Sequence, residues 1–220
     1  YVGSKQNPGD LIEAGEHVKA NFLATRHQAV GKEVKVFLGA AARFAKASRV
    51  AEAADKKEDA AREALSEADA ARDAALRQLD RKLIDAGEPK ANSFKGYGFS
   101  APSRIAGLSF AEETKVVARL VKAVSGRKSQ GSGVKLAATA LSKSNDAVIA
   151  AEARVLAAAS VASKARAARD ALDRPTRAAL SVLKLQVKVA EKLGLTGAYA
   201  ELFATEAKPK KPAATPAVPN

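Results

Sequence analysis

Along most of this chain apolar residues return at steps of three and four, the spacing that lines one face of an α-helix. After a polar start containing Pro8 and Gly9, Asp10 stands where an N-cap belongs. It precedes a helix carried by Leu11, Ile12, Val18, Phe22 and Leu23, which should end near Arg26 or join its successor. Between Lys32 and Ala86 there is no proline and one internal glycine, Gly39, which predicts one long helix or a tight helical pair over residues 32–86. Phe37, Ala41 and Phe44 mark one stripe of this first arm. Leu65, Ala68, Leu76, Leu79 and Leu83 mark another, repeating best over 11 residues, the period of a nearly straight or slightly right-handed seam. Between the stripes, Ala54-Asp55-Lys56-Lys57-Glu58-Asp59 holds no large apolar residue and is either a solvated stretch of the arm or the turn of a helical hairpin. The like-charged pairs Glu63–Glu67 and Asp69–Asp73 alternate with the complementary pairs Glu58–Arg62 and Asp73–Arg77, and the run reads as a wet face.

Residues 87–109 break the helical pattern with Pro89, Gly96, Gly98, Pro102 and Gly107. So long a connection in a helical domain is usually functional or docked, and Phe94, Tyr97, Phe99, Ile105 and Leu108 make it apolar enough to pack against something. Ser109 and Glu112 form the Ser-x-x-Glu signature of a capping box for a helix over 110–125. Residues 125–133 are a Gly- and Ser-rich linker, after which a second arm covers 134–194 with candidate joints at Ser144-Asn145-Asp146 and at Pro175. Its last turns carry two adjacent stripes, Leu180-Leu183-Val187-Ala190 and Val182-Leu185-Val189-Leu193, which predict burial over a wide arc. Gly194 suits the C′ position, and a short helix through Tyr199, Leu202 and Phe203 follows. The fold class is therefore all-α: an elongated helical bundle, or two long helical hairpins joined by an irregular crossover. An N-terminal extension (1–9) precedes the bundle (10–207), and a Lys/Pro/Ala tail (208–220), disordered or extended, follows it.

Composition makes the core thin. Hydrophobic residues are 47% of the chain but many are alanine, aromatics are 5% and tryptophan is absent, so close backbones must replace bulky side chains. Without cysteine there are no disulfides, thiolate nucleophiles or Cys-based zinc sites. The chain opens on Tyr1 and holds no methionine, which suggests a processed protein that has lost a signal, transit or pro-segment and belongs to an organelle or is exported. No apolar run reaches the ~20 residues of a membrane span. The net charge of +13 is uneven: residues 51–100 carry nine Lys and Arg against eleven Asp and Glu, whereas 101–200 carry seventeen against seven. The second half attracts polyanions.

Candidate chemistry is sparse. Glu13 and His17 lie four apart, but the Glu-x-x-His pairs of a di-iron bundle are missing, and neither His17 nor His27 sits in a nucleophile motif, so no metal, cofactor or catalytic residues are assigned. Gly126-Arg127-Lys128-Ser129-Gln130-Gly131 lacks the Gly-Lys-Ser/Thr ending of a phosphate-binding loop. Lys95-Gly96-Tyr97-Gly98-Phe99 interleaves a cation with aromatics as single-strand binders do, though a docked loop explains it as well. Basic residues form the clearest functional pattern: Arg119, Lys122, Arg127, Lys128 and Lys135 flank the linker, and Arg154, Lys164, Arg166, Arg169, Arg174 and Arg177 recur along the second arm. On a helix they would track a polyanion without reading bases. The stretch Lys208-Pro209-Lys210-Lys211-Pro212 is similar in composition to linker-histone tails, over too short a span to imply a function.

The expected function is non-enzymatic: a structural or assembly subunit of a larger protein complex, acting through helix packing and docking of its crossover and tail. The alternative is non-specific binding of nucleic acid or an anionic membrane surface through the basic half.

Overall fold

The computed structural model describes residues 8–127 and 130–203, so Lys128 and the predicted tail lie outside the described residues. The described elements are all helices: α1 (Pro8–Asn21), α2 (Gly31–Asp85), α3 (Pro102–Ile105), α4 (Phe110–Gly126), α5 (Ser132–Lys192) and α6 (Ala198–Phe203), with 3-10 turns at Gln28–Val30 and Lys95–Tyr97.

Each arm is one unbroken helix, of 55 residues in α2 and 61 in α5. The charged stretch after Ala54 stays helical because it has something to bury. Ala54 and Glu58 are both covered, and Arg62 reaches back one turn to the Glu58 carboxylate at 2.6 Å. Both candidate joints in α5 are helical too. Ser144 turns its hydroxyl onto the Ala140 carbonyl (3.1 Å), and Asn145 donates to the Thr114 carbonyl of α4 (3.3 Å). Pro175 lies inside the helix, where a missing N–H and a ring clash cost about 3 kcal/mol, and tertiary packing must outweigh that. The packing is visible at the next residue: Thr176 is buried and its hydroxyl donates to the Leu172 carbonyl at 2.7 Å.

The described residues fold as two compact units, residues 8–52 with 164–203, and residues 53–163. In the first, Val18 of α1, Val34, Phe37 and Ala41 of α2, Leu183, Val187 and Ala190 of α5, and Leu202 of α6 share one core. α1 lies very close to α2: a Cβ added to Gly15 would sit 2.9 Å from the Ala41 Cβ. α6 is tied to the turn after α1 through His27, which is fully buried and stacked on Phe22. Its Nδ1 accepts the Leu23 N–H at 3.0 Å, so the proton sits on Nε2, which donates to Glu201 at 2.9 Å. Arg26 pairs with the same carboxylate at 2.9 Å. α5 ends as predicted at Gly194 (φ 110°): Gly194 N–H bonds to Glu191 O and Leu195 N–H to Ala190 O, the paired bonds of a Schellman cap that only a left-handed C′ residue completes.

In the second unit Leu76, Leu79 and Leu83 of α2 pack with Val117, Leu120 and Val124 of α4 and with Val134, Ala138 and Leu141 of α5. α2 and α5 run antiparallel here: Gly133 lies beside Lys82, while Asn145 and Arg72, further into each helix, both reach Thr114. The capping box at α4 takes another form. The Ser109 hydroxyl donates to the Glu112 carboxylate at 2.8 Å and makes no side-chain cap bond to the helix backbone.

The contact between α1 and α2 gives a test. Gly15→Ala improves helix propensity by up to about 1 kcal/mol yet overfills the interface, and we expect a net loss of about 1–2 kcal/mol in denaturant unfolding. Ala41→Gly on the same chain should recover most of that coupling, whereas Gly39→Ala, with nothing within 4 Å of the added methyl, should stabilise the protein.

Candidate functional site

The apolar crossover docks on its own chain. Phe94 and Ile105 are fully buried in the core of the second unit, Tyr97 and Phe99 pack against that core, and of the five predicted docking residues Leu108 alone is exposed. The sequence shapes the loop locally. Asn92 accepts the Phe94 N–H (3.0 Å) and donates to the Phe99 carbonyl (3.1 Å), and Ser93 donates to Asp80 of α2 at 2.6 Å.

Arg127, expected as a polyanion or partner contact, clamps this loop. Its guanidinium lies 3.9 Å from the centre of the Tyr97 ring, pairs with Glu88 at 3.2 Å and donates to the Gly96 carbonyl. Gln130 donates to the Tyr97 hydroxyl. Burial raises the Tyr97 phenol above its ordinary value, partly offset by the Arg127 charge. Tyr97 and Arg127, from different predicted sets, thus belong to one cluster.

The other basic residues stay apart. Arg119 and Lys122 are exposed on α4, and with Lys115 they sit at i, i+4 and i+7 on its outer face. Lys135, Arg154, Lys164, Arg166 and Arg174 are exposed along α5. Arg169 pairs with Asp170 at 2.8 Å and Arg177 with Asp173 at 2.7 Å, the latter bond raising the Arg177 pKa. Glu13 and His17 pair at 3.7 Å, and among the described residues no group of three or more His, Asp or Glu could hold a metal ion.

The charge run on α2 departs from the expected wet face. Arg72 is fully buried and receives three side chains at once: Glu113 of α4 at 2.7 Å, Asp69 one turn back, and the Thr114 hydroxyl at 3.1 Å. Arg72 Nε, Glu113 Oε1, Asp73 Oδ1 and Asn145 Oδ1 are buried without a hydrogen-bond partner among the described residues. One guanidinium cannot balance Asp69, Asp73 and Glu113 together. Desolvation pushes the Glu113 carboxyl up to about 7, with Asp73 and Asp69 adding to the rise and Arg72 opposing it. Spacing did not mark this cluster, because the residue that completes it lies 41 positions away in sequence.

The second stripe at the end of α5 is the largest departure from expectation. Val182, Leu185, Val189 and Leu193 are 51, 60, 42 and 83% exposed, whereas the expected wide arc of burial would have covered them. α1, α2 and α6 enclose the Leu183–Val187–Ala190 side, and no described element of the first unit covers the other. A shallow groove of about 350 Å³ borders this stripe, lined by Ala29, Gln186, Val189, Ala190 and Leu193. A larger one of about 440 Å³ runs along the contact of α1 with α2, beside Gly15 and Gly39.

No protein family, curated protein or solved structure matches the chain. Among the described residues no helix is long and apolar enough to cross a membrane.

The buried cluster carries a pH dependence with a definite sign. A carboxyl whose folded pKa lies near 7 rather than 4.5 binds more protons folded than unfolded between those values, so its contribution to stability is present below about 4.5 and lost as pH rises toward 7. We expect Glu113→Gln to remove a falling slope of up to about 1 kcal/mol per pH unit over that window, measured by urea unfolding at a series of pH values.

Proposed function

We propose that this protein is a non-enzymatic structural or assembly subunit, acting by helix-to-helix packing against another chain. The observation that carries the reading is the row Val182, Leu185, Val189 and Leu193, four large aliphatic side chains left in solvent on one face of a helix whose opposite face is core. Soluble proteins leave single apolar residues exposed as a matter of course, but a contiguous helical row is the usual mark of a partner surface. The crossover, whose aromatics are spent inside its own unit, is less available for docking than its composition suggests, and the packing role passes to α5. None of the clusters described combines a nucleophile, a base and an open cleft, which favours a non-catalytic role.

A second reading has one observation in its favour. Lys115, Arg119 and Lys122 line the outer face of α4 and fit three phosphates of a polyanion.

One comparison separates the two. We expect the tagged chain in extracts of its own cells to run in size-exclusion chromatography well above its monomer mass, and the double variant Leu185→Glu, Leu193→Glu to run as a monomer with unchanged helicity. A monomeric wild-type chain that binds random-sequence duplex, with log affinity falling by about 3 per log unit of salt, would replace assembly with polyanion binding.

A further inference from the structure

We propose that the shallow groove along the last turns of α5, closed on one side by Ala29 of the turn before α2, receives an amphipathic helix of another protein, apolar on one face and flanked by Asp or Glu. This rests on the assembly reading and specifies the chemistry of its partner.

The shape is that of a helix seat. Ala29 forms one wall and Gln186, Val189 and Leu193 the other, and Ala190 is buried between them. Val36, in the second turn of α2, is a further large apolar side chain left 58% exposed near the start of that helix. Val182 and Leu185 extend the second. From Val182 to Leu193 the row runs three turns, roughly 17 Å, which suits a partner helix with apolar residues at i, i+3 or i+4, and i+7. Gln186 supplies one polar group to fix its register.

Charge selects the occupant. Lys32 is exposed at the start of α2, and Lys188 and Lys192 are exposed on the last turns of α5, Lys188 with its ammonium 5.2 Å from the centre of the Tyr199 ring. The acidic residues of the same turns are fewer: Glu191 accepts the Tyr199 N–H at 2.9 Å, and Glu33 at the start of α2 is half-buried. The rim is therefore basic around an apolar floor. A second copy meeting this face by two-fold symmetry would set the same cations against one another. The chain's remaining segments are no better matched, since residues 1–7 carry Lys5 and no acid, and residues 204–220 carry Lys208, Lys210 and Lys211 against Glu206. A bilayer takes up an amphipathic face that projects from the protein, whereas Ala190, in the lining of this groove, is buried. An acidic amphipathic helix satisfies floor and rim together.

The test uses the full chain and synthetic three-turn helical peptides sharing one Leu face, flanked by Glu, Gln or Lys and followed by fluorescence anisotropy. We expect the Glu-flanked peptide to bind at least tenfold more tightly than the Gln-flanked one and to weaken with salt. Leu185→Glu, at an exposed position that the fold tolerates, should cost at least tenfold, and Lys32→Glu with Lys192→Glu should turn the preference toward the Lys-flanked peptide. Equal affinity for all three peptides, or binding of none, overturns the proposal. If none binds but sedimentation shows a dimer that Leu185→Glu dissociates, the occupant is a second copy and the assembly reading survives. Recruitment to phosphatidylserine vesicles, lost in Leu185→Glu, would put a membrane in place of the helix. If no peptide binds and the chain neither self-associates nor enters a larger species in its own cells, the assembly reading falls with the proposal.

Discussion

Close backbone approach is the condition on which this fold depends. Where alanine lines the core, each buried side chain gains little, so helices must come near enough for their main chains and short side chains to fill space together. The contact of Gly15 with Ala41 is the clearest instance, because even one more methyl there has no room. Larger residues appear where three or more helices converge and leave wider gaps: Phe37 and Leu183 in one unit, Phe94, Leu79 and Leu120 in the other. The crossover adds Phe94 and Ile105 to the leucines and valines that the long helices bring to the second unit.

The Arg72 cluster follows a different logic. Burying a guanidinium beside three carboxylates costs desolvation that the pairing only partly repays, so the cluster is a poor source of stability. It does set register. Sliding α4 one turn along α2 would move Glu113 and Thr114 away from a cation with no route to solvent and leave it with Asp69 of its own helix alone. Leucine and valine surfaces of two smooth helices discriminate weakly among such offsets, whereas this contact permits one.

Much of the fold was legible in the chain. The lack of proline and near lack of glycine over 32–86 allowed a single helix, and Gly194 marked the end of the second arm through a conformation that glycine adopts freely. Ser144-Asn145-Asp146 and Pro175 misled because local breakers were overruled by contacts made elsewhere, Asn145 with α4 and Thr176 within the core. The candidate surfaces were harder to see. Between Leu180 and Leu193 apolar residues cover more than half the helix circumference, and nothing local says which side neighbours will occupy. Arg72 resembled any solvated charge until α4 was laid beside it. Arg127 was legible as a cation but not as a clamp, since its ring and carboxylate come from the far side of α4 in sequence.

The order in which the two units draw on the chain bears on how the protein is made. Residues 53–163 are contiguous and can close their core while the ribosome is still adding the remainder, whereas the other unit joins residues 8–52 to residues 164–203. Val34 and Phe37 therefore emerge early and wait for Leu183, Val187 and Leu202, more than a hundred residues later, before they can be covered. During that interval the first helices carry their apolar stripe in water, which makes the nascent chain a natural client for holding factors and sets the rate of maturation by the closing of its most distant contacts.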